Sequence, residues 1–291
     1  NIQMEERKTI YLCLAHMSET GEEQKYVKEA FDTNWVVPLG PNVNGFEDDL
    51  KAFVSKNSDG SELSREVVAL SAGTAAVHLG LLASGVGPGD EVCVQSFTFC
   101  ASSHPITYLG ATPVFIDSEP DSWNMDPELL EKAIIDRKEK TGKYPKAIVP
   151  VALYGMPYDC DKIMAISEKY GIPVVEDAAE GCGSRWKGQV LGTFGKFGVL
   201  SFNGNKMITT SGGGALICQD AESKNNVMWY ATQARDAYPY YQHTAIGYNY
   251  RMSNVCAGIG RGQMTVLEDH IAHHKHVQEL YKELLKDVEG V

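Results

Sequence analysis

The chain has 291 residues, of which 43% are hydrophobic and 22% are charged, values typical of a globular enzyme of about two domains. Its formal net charge of −12 argues against a nucleic-acid partner, because binding to phosphates requires clustered Lys and Arg. No apolar run reaches the roughly 18 residues that predict a membrane-spanning helix, and residues 1–7 are too polar for a signal peptide.

Helical and strand-like patterns alternate along the chain. Helices are predicted over 22–31, 71–83, 159–170 and 222–233, and a long helical stretch over 254–285. Strands are predicted over 66–70, 91–95, 112–117, 147–151, 172–177, 197–202 and 213–218. The alternation and the short apolar runs predict an α/β fold with a parallel sheet covered by helices on both faces. We place a domain boundary near Ser253, which gives a large domain over 1–253 and a second unit over 254–291.

The seven cysteines include no CxxC pair and have no metal-ligand spacing. The pattern therefore predicts no metal site. Buried, reduced thiols in a cytoplasmic protein are the simplest interpretation.

A turn of small residues, Ser71-Ala72-Gly73-Thr74, connects a predicted strand to a predicted helix. Gly73 allows a ligand to approach the backbone, Thr74 offers a hydroxyl, and a helix N-terminus offers free amides with a partial positive charge. These features favour an anion site, most naturally for a phosphate. An ordinary N-capped turn between a strand and a helix has the same pattern, so this segment alone does not distinguish a phosphate site from a structural turn.

Asp177 lies at the carboxyl end of an apolar strand, within Glu176-Asp177-Ala178-Ala179-Glu180. Open α/β sheets bind ligands at this end of their strands, and a buried carboxylate there can pair with a protonated ring nitrogen. A turn or N-cap aspartate explains the segment equally well when it is taken by itself.

Lys206 follows the predicted strand 197–202 in a small polar loop, and three consecutive glycines occupy 212–214. A lysine in a closed site can lose its proton and form a Schiff base. An isolated lysine is more often a solvated surface charge, so this segment alone does not distinguish a Schiff-base lysine from a surface lysine.

Together the three segments match the needs of pyridoxal 5′-phosphate (PLP): a phosphate site, a carboxylate for the pyridine nitrogen and a Schiff-base lysine. A flat side chain that covers the ring completes the set. Phe99 follows a strand end and is the candidate for this stacking role, with core packing as the alternative.

Segments 71–76, 176–180, 201–206 and 247–253 resemble the DegT/DnrJ/EryC1/StrS family of sugar aminotransferases. The resemblance covers nearly the whole chain and is nearest to bacterial enzymes that make UDP-4-amino-sugars, such as precursors of N,N'-diacetylbacillosamine. It implies a PLP-dependent fold type I (aspartate-aminotransferase-like) large domain with a mostly parallel central sheet, followed by the start of a small C-terminal domain. Members of the family are longer by roughly a quarter.

The resemblance also implies roles for individual residues. Lys206 carries the cofactor, Asp177 pairs with the pyridine nitrogen, and Glu180, where many relatives have Gln, lies beside the ring hydroxyl. The phosphate is held by Gly73, Thr74 and Ser201, and the ring is covered by Phe99.

Asn249 reaches the cofactor phosphate of a neighbouring subunit in the family, which implies a homodimer with shared active sites. The loop Asn34-Trp35-Val36-Val37 matches the segment that borders the sugar nucleotide. Tyr154 is a further candidate for a substrate contact. Arg251 either neutralises the acidic site near a substrate phosphate or only pairs with a carboxylate.

The expected reaction is transfer of an amino group from glutamate to the C4 keto group of a nucleotide-linked 4-keto-6-deoxy sugar, with Lys206 as the proton carrier. Three alternatives remain open at this point. A PLP-dependent sugar dehydratase of the same family typically has His in place of the lysine, which Lys206 argues against. The others are a non-catalytic PLP-binding or sensor protein and a plain α/β protein whose motifs are accidental.

Overall fold

The computed structural model describes residues 8–290 except 10 and 13, so the prediction about a signal peptide at 1–7 and the thiol of Cys13 lie outside the described residues. The helices are α1 Glu22–Asp32, α2 Pro41–Val54, α3 Gly73–Ala83, α4 His104–Tyr108, α5 Pro127–Thr141, α6 Cys160–Tyr170, α7 Ala221–Ala231, α8 Asn254–Met264 and α9 Leu267–Leu285. The strands are β1 Glu66–Leu70, β2 Glu91–Gln95, β3 Thr112–Ile116, β4 Ala147–Val149, β5 Val175–Asp177, β6 Arg185–Trp186, β7 Gln189–Val190, β8 Phe197–Ser201 and β9 Gly214–Cys218.

The central sheet has the strand order β3-β2-β4-β5-β8-β9-β1. Regular pairing forms the groups β3-β2-β4 and β1-β9-β8-β5, and the parallel bridges Ile148–Val174 and Val151–Asp177 join β4 to β5. Within this sheet the described strands pair in parallel, except that β9 runs antiparallel to β8 and to β1. Strands β6 and β7 form a separate antiparallel pair. The predicted α/β fold with a mostly parallel sheet is therefore confirmed.

Helices cover both faces of the sheet because successive strand residues point to opposite sides. In β1, Val67 packs into one core cluster and Val68 into the other. The first cluster includes buried residues of α2, α5, α6 and α8, and the second includes residues of α3, α4 and α7. The strands β1, β2, β4, β5, β8 and β9 are consequently buried on both faces, which explains their mostly apolar sequences, whereas the edge strand β3 exposes Thr112 and Phe115.

The long helical stretch predicted over 254–285 is two helices. Helix α8 ends at Met264, where the hydroxyl of Thr265 donates to the carbonyl of Gly262, and α9 begins at Leu267. The β-branched pair Thr265-Val266 favours such a break. Helix α8 packs against α1 and α2, and Ala257 belongs to the core. The division into units 1–253 and 254–291 stays a prediction.

The described cysteines are free thiols, but the prediction that they are buried holds for only some of them. Cys93, Cys160, Cys182 and Cys218 are buried, and burial raises the pKa of Cys93 and of Cys182 to about 12. Cys100 is exposed because it begins a short 3-10 turn at the surface between β2 and α4. Within the described residues, no helix is both long and apolar enough to cross a membrane.

Candidate active site

A cavity of about 340 Å³ lies where β1, β5 and β8 end, a volume within the range of small-molecule pockets. Parallel strands bring segments that are distant in sequence to this edge of the sheet. The cavity walls include all the predicted cofactor-binding residues except Asn249: Gly73, Thr74, Phe99, Asp177, Glu180, Ser201 and Lys206.

The N-terminus of α3 forms one wall of the cavity. Its N-cap residue, Ala72, has an extended backbone and no side chain that could accept a hydrogen bond from the first-turn amides. These amides are therefore left for a ligand or for water. A Cβ atom built on Gly73 would lie 3.0 Å from Cβ and 3.2 Å from Oγ of Ser201, so the hydroxyl of Ser201 lies directly against the turn. Amides, a helix dipole and hydroxyls together suit a phosphate.

Asp177, the last residue of β5, is only 6% exposed. Its Oδ2 accepts a hydrogen bond from the hydroxyl of Ser102 at 2.5 Å, and its Oδ1 accepts one from the amide of Ala179 at 3.2 Å. Burial raises the pKa of Asp177, and the charge of Glu180 acts in the same direction, whereas the two hydrogen bonds and the charge of Lys206 lower it. A buried carboxylate of this kind is stabilised when a cation such as a protonated ring nitrogen is bound beside it.

Lys206 lies in the turn after β8 with its side chain largely enclosed. Its Nζ is 3.4 Å from Oε1 of Glu180, and Oε2 of Glu180 accepts a hydrogen bond from the amide of Tyr154 at 2.6 Å. Two hydrogen bonds hold the backbone just beyond the lysine. The amide of Thr209 donates to the side-chain oxygen of Gln263 in α8, and Nδ1 of His270 in α9 bonds the carbonyl of Met207.

Phe99 lines the cavity with 74% of its surface exposed, so the alternative that it packs in the core is wrong. Tyr154 is also exposed. It lies at the border of a neighbouring cavity of about 540 Å³, which shares Glu180 with the first.

The remaining predicted residues lie outside the first cavity. Asn249 and Arg251 line another cavity, on the surface near Leu39, and Nη1 of Arg251 bonds Oε1 of Glu47 at 2.7 Å. Of the two roles considered for Arg251, the structure therefore contains the pairing with a carboxylate. The loop Asn34-Trp35-Val36-Val37 is fixed by Asn254, which donates to the carbonyls of Trp35 and Val37.

Sequence reasoning did not assign a role to Ser102 or Thr98. The hydroxyls of these residues bond to each other at 2.8 Å, and Ser102 contacts Asp177. The hydroxyl-rich segment after β2 was a visible signal, but its contact with β5 joins residues 75 positions apart. Among the described residues, no group of three or more His, Cys, Asp or Glu side chains is arranged to hold a metal ion.

The cavity fits PLP on its own chemistry. An enclosed lysine, a buried carboxylate and an uncapped helix N-terminus meet at the carboxyl end of a mostly parallel sheet. These are the groups that bind the aldehyde, the ring nitrogen and the phosphate of this cofactor. Fold and site together define the class of PLP-dependent enzymes of fold type I.

The chain belongs to the DegT/DnrJ/EryC1/StrS aminotransferase family, whose family model matches residues 17–291. It is 47% identical to EpsN of Bacillus subtilis (strain 168), which is named as a pyridoxal phosphate-dependent aminotransferase, over 98% of this chain and 70% of that protein. It is 37% identical to the GDP-perosamine synthase of Escherichia coli O157:H7 over 94% of this chain and 71% of the relative.

Among solved structures, a DegT DnrJ EryC1 StrS aminotransferase from Brucella abortus superposes with a TM-score of 0.85 at 31% identity. The match covers 92% of this chain and 70% of that chain. The predictions of the family, of PLP as the cofactor and of a sugar aminotransferase are therefore confirmed. The dehydratase, the non-catalytic sensor and the accidental-motif alternatives are not supported.

Proposed function

We propose that the protein transfers the amino group of glutamate to the C4 keto group of a nucleotide-linked 4-keto-6-deoxy sugar, as a homodimer with shared active sites in the cytoplasm. The observation that carries the chemistry is the meeting of Lys206, Asp177 and the α3 N-terminus in one cavity. The name of the GDP-perosamine synthase relative supports a nucleotide-linked sugar as substrate. The free cysteines suit a reducing compartment.

In this proposal Lys206 would hold the cofactor through its aldehyde, and Asp177 would pair with the pyridine nitrogen. Glu180 would lie beside the ring hydroxyl. The phosphate would be held by Gly73, Thr74 and Ser201, and the ring would be covered by Phe99. When bound, PLP supplies an electron sink that stabilises negative charge on the amino carbon.

The protons of the reaction are moved by the protein's own side chains. Once the amino donor has displaced it from the cofactor, the free Nζ of Lys206 would take a proton from the α-carbon of the donor and, in the second half of the reaction, deliver one to C4 of the sugar. Glu180, 3.4 Å away, orients that Nζ between the two positions. Asp177 carries the negative charge that keeps the ring nitrogen protonated, and its burial strengthens this interaction because little water screens it.

The substrate and the partner subunit are assigned to the residues outside the first cavity. We propose that the segment Asn34-Trp35-Val36-Val37, Tyr154 and Arg251 border the sugar nucleotide. Asn249 is proposed to contact the cofactor phosphate in the active site of the partner subunit. Its place outside the cavity of its own chain supports that role.

The decisive test of the lysine uses Lys206→Ala and Lys206→Arg, with Lys187→Arg as the control because Lys187 is exposed and outside the cavity. Both Lys206 variants are expected to lose the visible absorbance of the Schiff base and the spectral change on adding glutamate, whereas the control keeps both. Retention of the absorbance and of turnover in Lys206→Ala would refute the assignment. A mass-spectrometric screen of nucleotide 4-keto-sugars with glutamate and PLP then identifies the acceptor.

Shared active sites can be tested by mixing inactive Lys206→Ala with Asn249→Ala and allowing subunits to exchange. If Asn249 serves the partner's site, each mixed dimer has one intact site, and random assortment restores about one quarter of wild-type activity. If Asn249 serves its own site, no mixed dimer has an intact site and activity stays at the level of the separate variants.

A further inference from the structure

We propose that Ser102 is a positioning residue for Asp177, and that Thr98 orients Ser102, so that the carboxylate is held in the geometry in which it pairs with the cofactor nitrogen. This inference rests on the proposed role of Asp177.

The geometry joins two elements that are far apart in sequence. Ser102 is fully buried in the 3-10 turn Cys100–Ser102, and its Oγ lies 2.5 Å from Oδ2 of Asp177 at the end of β5. The other carboxylate oxygen accepts the amide of Ala179 at 3.2 Å. Both oxygens of Asp177 are therefore held: one by the amide of Ala179 and the other, among the residues that the structure describes, only by the hydroxyl of Ser102.

The direction of the hydrogen bonds follows from the donors available. An ionised carboxylate only accepts, so Ser102 must donate its single proton to Asp177. The 2.8 Å bond between Thr98 Oγ1 and Ser102 Oγ then requires Thr98 to be the donor. The result is a chain from Thr98 to Ser102 to Asp177 in which each hydroxyl points its proton toward the carboxylate, and bonds that run in one direction reinforce one another.

The charges around Asp177 explain why the hydrogen bonds from Thr98 through Ser102 affect its protonation. Among the described residues that line the cavity, Asp177, Glu180 and Lys206 carry charges, while the walls from α3 and from the segment after β4 are uncharged. Burial raises the pKa of Asp177, and the bond from Ser102 is the largest influence that lowers it. Without that hydroxyl the carboxyl group would take up a proton at higher pH and present a neutral oxygen to the ring nitrogen.

The test uses Ser102→Ala and Ser102→Cys, which remove or weaken the donor, and Ser102→Thr, which restores a hydroxyl. Ser103→Ala is the matched control, because Ser103 is the next residue and its exposed hydroxyl donates to the carbonyl of Cys100 rather than to Asp177. Asp177→Asn identifies the infrared band of the protonated Asp177 carboxyl group in the protein without cofactor. Two quantities are measured in each variant: the pH at which this band titrates and the Kd for PLP.

We expect the titration to move to higher pH and PLP to bind about 10- to 100-fold more weakly in Ser102→Ala, the range for losing a hydrogen bond to a charged group. Ser102→Cys should change in the same direction, Ser102→Thr should return toward wild type, and Ser103→Ala should match it. If either donor-weakened variant titrates and binds PLP like Ser103→Ala while Asp177→Asn is impaired, the role of Ser102 is overturned and the proposed function stands. If Asp177→Asn itself binds PLP and turns over like wild type, the proposed role of Asp177 fails instead.

Discussion

The Nζ atom of Lys206 lies 3.4 Å from one carboxylate oxygen of Glu180, and the other oxygen of Glu180 accepts the amide of Tyr154. One side chain thus contacts the lysine and fixes the 153–155 turn, in which Tyr154 has the left-handed φ of 53°. Because such a backbone conformation is unfavourable for a residue with a side chain, the turn depends on contacts of this kind.

Substitutions of Glu180 should separate its charge from its hydrogen bond. Glu180→Gln keeps an acceptor for the amide of Tyr154, whereas Glu180→Ala removes it. Loss of the hydrogen bond costs about 1 kcal/mol, so kcat/KM should fall about 5- to 10-fold further in Glu180→Ala than in Glu180→Gln. Steady-state kinetics with the PLP-saturated variants measure the difference. Equal values for the two variants would show that the bond to Tyr154 does not matter.

The close contact between β9 and the α3 turn should tolerate no side chain at Gly214. A Cβ there would lie 2.4 Å from the amide nitrogen of Gly73 and 2.5 Å from the carbonyl carbon of Ala72, both parts of the rigid backbone. Gly214→Ala should lower the free energy of unfolding by about 1–3 kcal/mol, the usual cost of overpacking. Urea denaturation of the cofactor-free protein measures this value.

Gly212→Ala is the matched control for that experiment, because a Cβ on Gly212 would meet no atom within 4 Å. Its free energy of unfolding should stay within about 0.5 kcal/mol of wild type. A Gly214→Ala protein as stable as Gly212→Ala would contradict the close approach of the two segments.

The buried pair Arg251–Glu47 should contribute strongly to stability. The two side chains are 10% and 9% exposed, so Arg251→Met leaves an unpaired buried carboxylate and should cost about 3–5 kcal/mol of unfolding free energy. The control is Lys28→Met, which breaks the pair with Asp32 whose side chains are 73% and 56% exposed, and should cost less than about 1 kcal/mol. Unchanged stability of Arg251→Met would contradict this structural role, whereas a raised KM for the sugar nucleotide would support the proposed place of Arg251 beside the substrate.

His78 should make stability depend on pH. The side chain is buried against Tyr250, with Nδ1 3.1 Å from the tyrosine hydroxyl, and burial lowers the pKa of His78. The unfolded chain, with a His pKa near 6.5, then binds a proton more readily than the folded protein. The stabilisation from a neutral His78 is fully present above that value and is lost as the pH falls from about 6.5 toward the lowered folded-state pKa.

The corresponding measurement is the free energy of unfolding between about pH 5 and pH 7.5. As the pH falls over this range, His78→Gln should lose less stability than wild type. The difference should be up to about 1.4 kcal/mol for each unit by which folding lowers the pKa of His78. His273→Gln, at an exposed position in α9, should follow wild type. A His78→Gln curve parallel to wild type would contradict the assignment.

Local sequence was sufficient to predict most elements of the sheet. The segments 66–70 and 91–95 form the strands that their Val-rich runs predict, and β5 ends at Asp177, as does the strand predicted over 172–177. Helix α5 was not predicted, although Asp126 and Pro127 are a recognisable helix start, because its sequence is mostly charged and shows little apolar periodicity.

The sequence by itself predicted the fold class and the cofactor correctly, because strand runs and the ordered set of motifs are local patterns, and it indicated Lys206 and Asp177 as the residues proposed to bind that cofactor. Only the tertiary structure decided which side chains meet: Ser102 with Asp177, Glu180 with Lys206, and Arg251 with Glu47. These contacts join residues 75, 26 and 204 positions apart. The order of the strands and the burial of the carboxylates set them, and neither property is encoded in the spacing of residues along the chain.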